Sequence, residues 1–174
     1  MWRLISEMNA PLFSIVTPTF NRQSVISRAV CSVQAQTSCD YEHIVIDDGS
    51  QDDTAGVLKE IGDGRLRHEQ FRSNQGANVV RNYGIQIARG EGVTFLDSDD
   101  EYLPCRLAHL VDVIERYPDS RVFISSFRMF KHGGGCDCVN ADTYLEGSEL
   151  ERALMAHQVK IAGTAISVRR DLLQ

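Results

Sequence analysis

Three short polar stretches hold most of the residues able to do chemistry in this 174-residue chain. They are Thr17-Pro18-Thr19-Phe20-Asn21-Arg22, Asp47-Asp48-Gly49-Ser50 and Asp97-Ser98-Asp99-Asp100. Each follows a short apolar run, so each reads as the polar end of a buried strand. In an open parallel sheet such ends share one rim, which is where ligands bind. At least five carboxylates (Asp47, Asp48, Asp97, Asp99 and Asp100) then meet there. Like charges a few ångströms apart raise one another's pKa, and a divalent cation relieves that cost. Mg²⁺ and Mn²⁺ prefer oxygen ligands, and Mg²⁺ is usually held by one or two carboxylates plus substrate phosphates. The acidic run at 97–100 therefore suits a metal–diphosphate complex. Its plainer reading is an acidic turn capping the helix that follows.

The elements that must position these stretches alternate. A strand over 12–17, closed by Pro18, precedes a helix with Ile26, Ala29, Val30 and Val33 on one face. A strand over 41–46 runs into a capping box formed by Ser50 and Asp53, and the next helix buries Val57, Leu58 and Ile61. After the turn at Asp63-Gly64 comes a third strand over 65–71. Gln75-Gly76 opens a helix with Val80, Gly84, Ile87 and Ala88 on a shared face, and Arg89-Gly90 closes it. A strand over 93–96 leads into an amphipathic helix aligning Leu103, Leu107, Leu110, Val111 and Ile114, with Pro104 in its first turn. A strand over 121–127, an irregular loop over 131–144, a helix over 148–157 and a strand over 161–168 complete the chain. This alternation predicts a mostly parallel, doubly wound α/β sheet.

Composition narrows the partners. The formal net charge is −6 with no dense Lys/Arg run, which argues against nucleic acid. No apolar run approaches ~20 residues, so no membrane span is expected. The start of the chain carries Arg3 and Glu7 and no long apolar stretch, unlike a signal peptide. Cys31, Cys39 and Cys105 are scattered, which suits a reducing cytoplasm. Cys136 and Cys138 near His132 lack a fourth ligand for zinc, and a Gly133-Gly134-Gly135 loop with free thiols is the better reading.

Two residues sharpen the rim. Asp47 stands where a carboxylate can accept a hydrogen bond from a nucleotide base N–H. Arg81, on the helix opening at Gly76, can reach phosphate oxygens, although a solvated helix face is the plainer reading. Here the chain resembles the family 2 glycosyltransferases of GT-A fold. The matching blocks are FSIVTPTFNR (13–22), YEHIVIDDGSQDDT (41–54), NQGANVVRNYGI (74–85) and GEGVTFLDSDDEYLP (90–104). They stand in the family's order and spacing and cover 12 to about 130. The resemblance implies a GT-A type single sheet flanked by helices, with a nucleotide-sugar-binding half over 12–104 and an incomplete acceptor half over 105–174. It implies nucleotide binding by Thr17, Pro18, Thr19, Phe20, Arg22, Asp47, Asp48, Gly76, Arg81, Asp97 and Ser98. It makes Asp99 and Asp100 the ligands of Mn or Mg, with neither preferred. The implied donor is a nucleoside-diphosphate sugar, most often of uridine, and the acceptor is a glycan or other hydroxyl compound.

The implied reaction is attack of an acceptor hydroxyl on the anomeric carbon with inversion, assisted by a carboxylate general base. In the family that base lies in a later acidic motif, expected beyond Gln174. Asp142, Glu146, Glu149 and Glu151 do not match its pattern. The competing reading is a nucleotide-sugar-binding module without the base. A nicotinamide oxidoreductase is excluded by the turn after the first strand, which lacks the G-x-G-x-x-G pattern.

Overall fold

The computed structural model describes residues 10–37, 40–140, 145 and 147–173. Arg3, Glu7, Cys39, Asp142 and Glu146 lie outside the described residues. In chain order the elements are β1 (Phe13–Thr19), α1 (Ile26–Gln34), β2 (Tyr41–Asp47), α2 (Thr54–Glu60), β3 (Leu66–Gln70), α3 (Ala77–Ile87) and β4 (Gly92–Phe95). They continue with α4 (Arg106–Arg116), β5 (Val122–Ile124), β6 (Phe127–Phe130), β7 (Cys136–Val139), α5 (Gly147–Met155) and β8 (Ile166–Arg169). A 3₁₀ turn at Gly163–Ala165 leads into β8.

The main sheet has the order β3-β2-β1-β4-β8-β5. Its first four strands are parallel, and β8 is antiparallel to both β4 and β5. All seven residues of β1 and of β2 are buried, as central strands covered on both faces require. Phe13, Ile15, Tyr41 and Val45 pack against the apolar faces of α1, α2 and α4. Val16, Ile44, Ile46 and Val93 pack against α3 through Val80 and Ala88. Gly84 allows α3 its close approach. A Cβ there would lie 2.4 Å from Val16 Cγ1 and 2.9 Å from Ile46 Cδ1, so a larger residue would push the helix and Arg81 outward.

Several sequence-based boundaries move. Pro18 lies inside β1 rather than ending the strand. Leu96 N–H donates to Val16 O and Asp48 N–H to Thr19 O, so even positions of β1 face β4 and odd ones face β2. The β4 pairing stops at Phe95, opposite Val16, and Pro18 therefore needs no N–H. The capping box does not form: α2 begins at Thr54 with no side-chain cap, and the Asp53 N–H that Ser50 would have to satisfy donates to Gln23 Oε1. Leu103 lies outside α4 and is 54% exposed, with Pro104 also ahead of the helix. The expected strand over 121–127 breaks after Ile124, and β6 pairs with β7 in a separate hairpin. Part of the expected loop is thus ordered, its turn using Gly133, Gly134 and Gly135 at positive φ. Over 161–168, the strand begins only at Ile166. Among the described residues, no helix is long and apolar enough to cross a membrane.

One buried polar pair makes the core pH-sensitive. His43 Nε2 lies 2.9 Å from Thr17 Oγ1 inside the sheet. Burial lowers its pKa from 6.5 to about 3, partly opposed by the charge of Asp63. The unfolded chain therefore binds the extra proton first, so this stability is present above pH 6.5 and is lost as pH falls toward 3. His43→Gln should show a shallower fall in unfolding free energy than the parent between pH 6.5 and 4, read by urea denaturation at stepped pH. Equal slopes in the two proteins would contradict this role.

Candidate functional site

The rim begins with lacing between the loops after β1 and β2. Asn21, at φ 52, donates its N–H to Ser50 Oγ at 2.8 Å and accepts from Gln51 N–H at 2.8 Å. Arg22 N–H donates to Thr54 Oγ1 at 2.9 Å. Gln23 exchanges bonds with Asp52 and Asp53, at 3.1 and 2.8 Å. The polar residues at the first two strand ends thus hold each other in place, each satisfying backbone groups that a loop otherwise leaves to water.

Asp47 and Asp48, adjacent in sequence, do different work. Asp47 is buried; its Oδ1 accepts from Ser50 N–H at 2.8 Å and its Oδ2 from Gln70 Nε2 at 3.1 Å. Asp48 turns the other way and accepts from Gln75 N–H at 2.7 Å and Gly76 N–H at 2.8 Å. A carboxylate against these amides complements the helix dipole and fixes the start of α3. That start sets the position of Arg81 one turn later.

Arg81 donates from Nη2 to Asp97 Oδ1 at 2.6 Å, with both side chains partly buried. This ion pair joins α3 to the end of β4 and compensates one carboxylate of the acidic run. Arg22 Nη2 stands 3.9 Å from Asp99 Oδ2, both well exposed, linking the first strand end to the third. Ser98 is buried between them in sequence, and Phe20 is left partly exposed at the rim. Thr17 does not reach the rim: its hydroxyl is spent on His43 in the core. Pro18 and Thr19 complete the buried end of β1.

Asp100 is held by a residue that the strand-end motifs did not reveal. Thr164 hydroxyl donates to Asp100 Oδ2 and lies 3.4 Å from Asp97 N–H. Desolvation raises the Asp100 pKa, the Thr164 hydroxyl opposes that rise, and the negative charges of Asp97 and Asp99 add to it. Gly163 stands beside the ion pair, where a Cβ would lie 3.5 Å from Asp97 Oδ2 and 3.9 Å from Arg81 Nη2. No local pattern in the sequence ties Gly163 or Thr164 to an acidic run more than sixty positions earlier.

Among the described residues no three His, Cys, Asp or Glu side chains converge to enclose a metal ion. The rim instead offers the oxygens of Asp97, Asp99 and Asp100 on one open edge. That donor set fits a hard divalent cation sharing its shell with a diphosphate, since Mg²⁺ rarely uses an all-protein cage. Two buried polar atoms at this end of the sheet, Thr19 Oγ1 and Arg81 Nε, have no partner among the described residues. Such atoms call for a partner. Glu149 and Glu151 lie exposed on α5, and Cys136 and Cys138 are exposed free thiols on β7.

The Campylobacter jejuni GalNAc(5)-diNAcBac-PP-undecaprenol beta-1,3-glucosyltransferase is 42% identical over 104 residues, covering 58% of this chain and 34% of the relative. An uncharacterized glycosyltransferase of Haemophilus influenzae is 29% identical over 169 residues, covering 92% of this chain and 54% of its own length. The crystal structure of S. aureus TarS 1–349 superposes with a TM-score of 0.78 at 25% identity, covering 92% of this chain and 48% of TarS 1–349. The chain thus spans about a third to a half of these proteins' length, and it shares the GT-A fold of TarS. A family model described as Glycosyl transferase family 2 matches residues 14–171, and the chain belongs to that family.

Proposed function

We propose that the rim binds a nucleoside-diphosphate sugar together with Mn²⁺ or Mg²⁺, for transfer of the sugar to an acceptor hydroxyl with inversion. The observation that carries this is the Arg81–Asp97 pair, flanked by the open carboxylates of Asp99 and Asp100. Opposite charges side by side suit a diphosphate and its counter-cation: Arg81 toward phosphate oxygens, the carboxylates toward the metal. Phe20 offers an aromatic face at the rim, and Asp47 anchors the loop that would receive the base. A uridine donor is supported by TarS, which has been crystallised with UDP-GlcNAc. The exposed free cysteines support a reducing, cytoplasmic setting.

In the transfer, the acceptor oxygen bonds to the anomeric carbon as the bond from that carbon to the diphosphate breaks. The acceptor proton passes to a carboxylate base, which the family resemblance assigns outside the four blocks. A divalent cation, which Asp99 and Asp100 would hold, would supply positive charge against the departing diphosphate. Arg81 holds the phosphates in line, and the laced loops hold the nucleoside still. The undecaprenol-linked acceptor named for the Campylobacter relative supports a glycan acceptor.

Calorimetric titration of UDP tests the reading. Asp99→Ala should abolish the gain in UDP affinity that Mn²⁺ gives the parent, while leaving thermal stability unchanged. UDP binding as tight as the parent's in Mn²⁺ would remove Asp99 from the metal site. Asp47→Ala should weaken uridine binding in EDTA by about 1–3 kcal/mol, as the charged hydrogen bonds that hold the base-receiving loop are lost. Unchanged uridine affinity would take Asp47 out of base recognition.

A further inference from the structure

A dense polar network lies behind the acidic run, and its central residue stands outside the four family blocks. Its centre is Arg106, in the first turn of α4. Arg106 Nη1 donates to Ser125 Oγ at 2.8 Å. Its Nη2 lies 3.2 Å from Thr94 Oγ1, 3.2 Å from the Thr164 carbonyl and 3.3 Å from Ser167 Oγ. The guanidinium carbon stands 4.7 Å from the centroid of the Tyr102 ring, and Tyr102 hydroxyl donates to Phe95 O at 2.7 Å. One side chain therefore ties α4, β4, the end of β5 and β8 together. A charged group that is only partly exposed and this fully engaged fixes its partners strongly.

The network is aimed at one short segment. The turn at Gly163–Ala165 is gripped on one side by Arg106 through the Thr164 carbonyl. On the other side Ser125 N–H donates to Ala165 O at 2.9 Å. With the turn's backbone held at Thr164 O and at Ala165 O, Thr164 presents its hydroxyl to Asp100 Oδ2. Among the described residues this is the side-chain hydrogen bond the Asp100 carboxylate accepts, through Oδ2. The alternative role for Arg106, general packing of α4, does not require a carbonyl grip on a turn that touches the acidic run.

We propose that Thr164, anchored by Arg106, is a positioning residue that orients Asp100 for the divalent cation. This rests on the metal reading of the rim given above. Hydrogen-bonded partners behind a ligating carboxylate fix its rotamer and set metal affinity, and their loss typically costs about 10–100-fold. Thr164→Val removes the hydroxyl and keeps the shape, whereas Thr164→Ser keeps the hydroxyl.

The test is Mn²⁺ binding in the presence of UDP, followed by electron paramagnetic resonance, with UDP affinity in EDTA as the control. Thr164→Val should weaken Mn²⁺ binding about 10-fold or more, and Thr164→Ser should restore it to within about threefold of the parent. UDP affinity in EDTA should stay unchanged in both, which a merely structural role for Thr164 would not produce. Arg106→Met should lower Mn²⁺ affinity in the same direction, with Thr164→Val adding little on top. Parent-like Mn²⁺ affinity in Thr164→Val overturns the positioning role while leaving the metal site intact. A parent that binds UDP but shows no Mn²⁺ binding overturns the metal reading itself, and this proposal with it.

Discussion

Negative groups brought to one edge of a sheet repel each other, and each must find a separate compensating partner. Here five aspartates reach the carboxyl edge of a parallel sheet, and the loops are built around answering them. The Ser50 backbone amide and hydroxyl, with the Gln70 side-chain amide, answer Asp47, and the two amides just ahead of α3 answer Asp48. Arginines answer Asp97 and Asp99. A single threonine hydroxyl answers Asp100. Compensation thus weakens from the second strand to the fourth, and the least compensated end is where a cation and a diphosphate would add most.

This ordering divides labour along the rim. The first two strand ends are self-satisfied, because their polar groups bond across the gap between the loops, from Asn21 to Ser50 and from Gln23 to Asp53. Such a stitched edge is rigid and suits a shaped seat for a nucleoside. The fourth strand end is open and exposed at Asp99, and its neighbours are held by one ion pair and one hydroxyl. A ligand bringing its own charges can enter there without breaking an extensive network. Preorganisation at one end and free valence at the other is a workable arrangement for binding and then releasing a charged leaving group.

Much of this was legible in the sequence. The parallel strands, the order of helices and the meeting of the acidic ends all follow from apolar runs that stop at polar clusters, as at Ile46-Asp47 and Leu96-Asp97. What local pattern cannot give is which way a side chain turns at a strand end. Thr17 belongs to the first motif, yet the alternation of a buried strand points it into the core toward His43. Asp48 follows Asp47 and turns toward α3 for the same reason. Nor does periodicity reveal where a late strand inserts. The four residues of β8 enter between β4 and β5, antiparallel, and only that placement brings Thr164 against Asp100 and gathers Thr94, Ser125 and Ser167 around Arg106. Hydrogen bonds spanning more than fifty positions leave no mark in spacing.

The central claim is that the cation site lies at the end of β4, against the turn that holds Asp100. Crystals soaked in MnCl₂ and UDP, with data collected at the manganese absorption edge, locate that ion directly. The account predicts one strong anomalous peak within coordinating distance of Asp99 or Asp100 and of the UDP phosphates, on the side of the rim facing Arg81. UDP bound at the rim with no anomalous peak there, or with the peak on any other group, would contradict it.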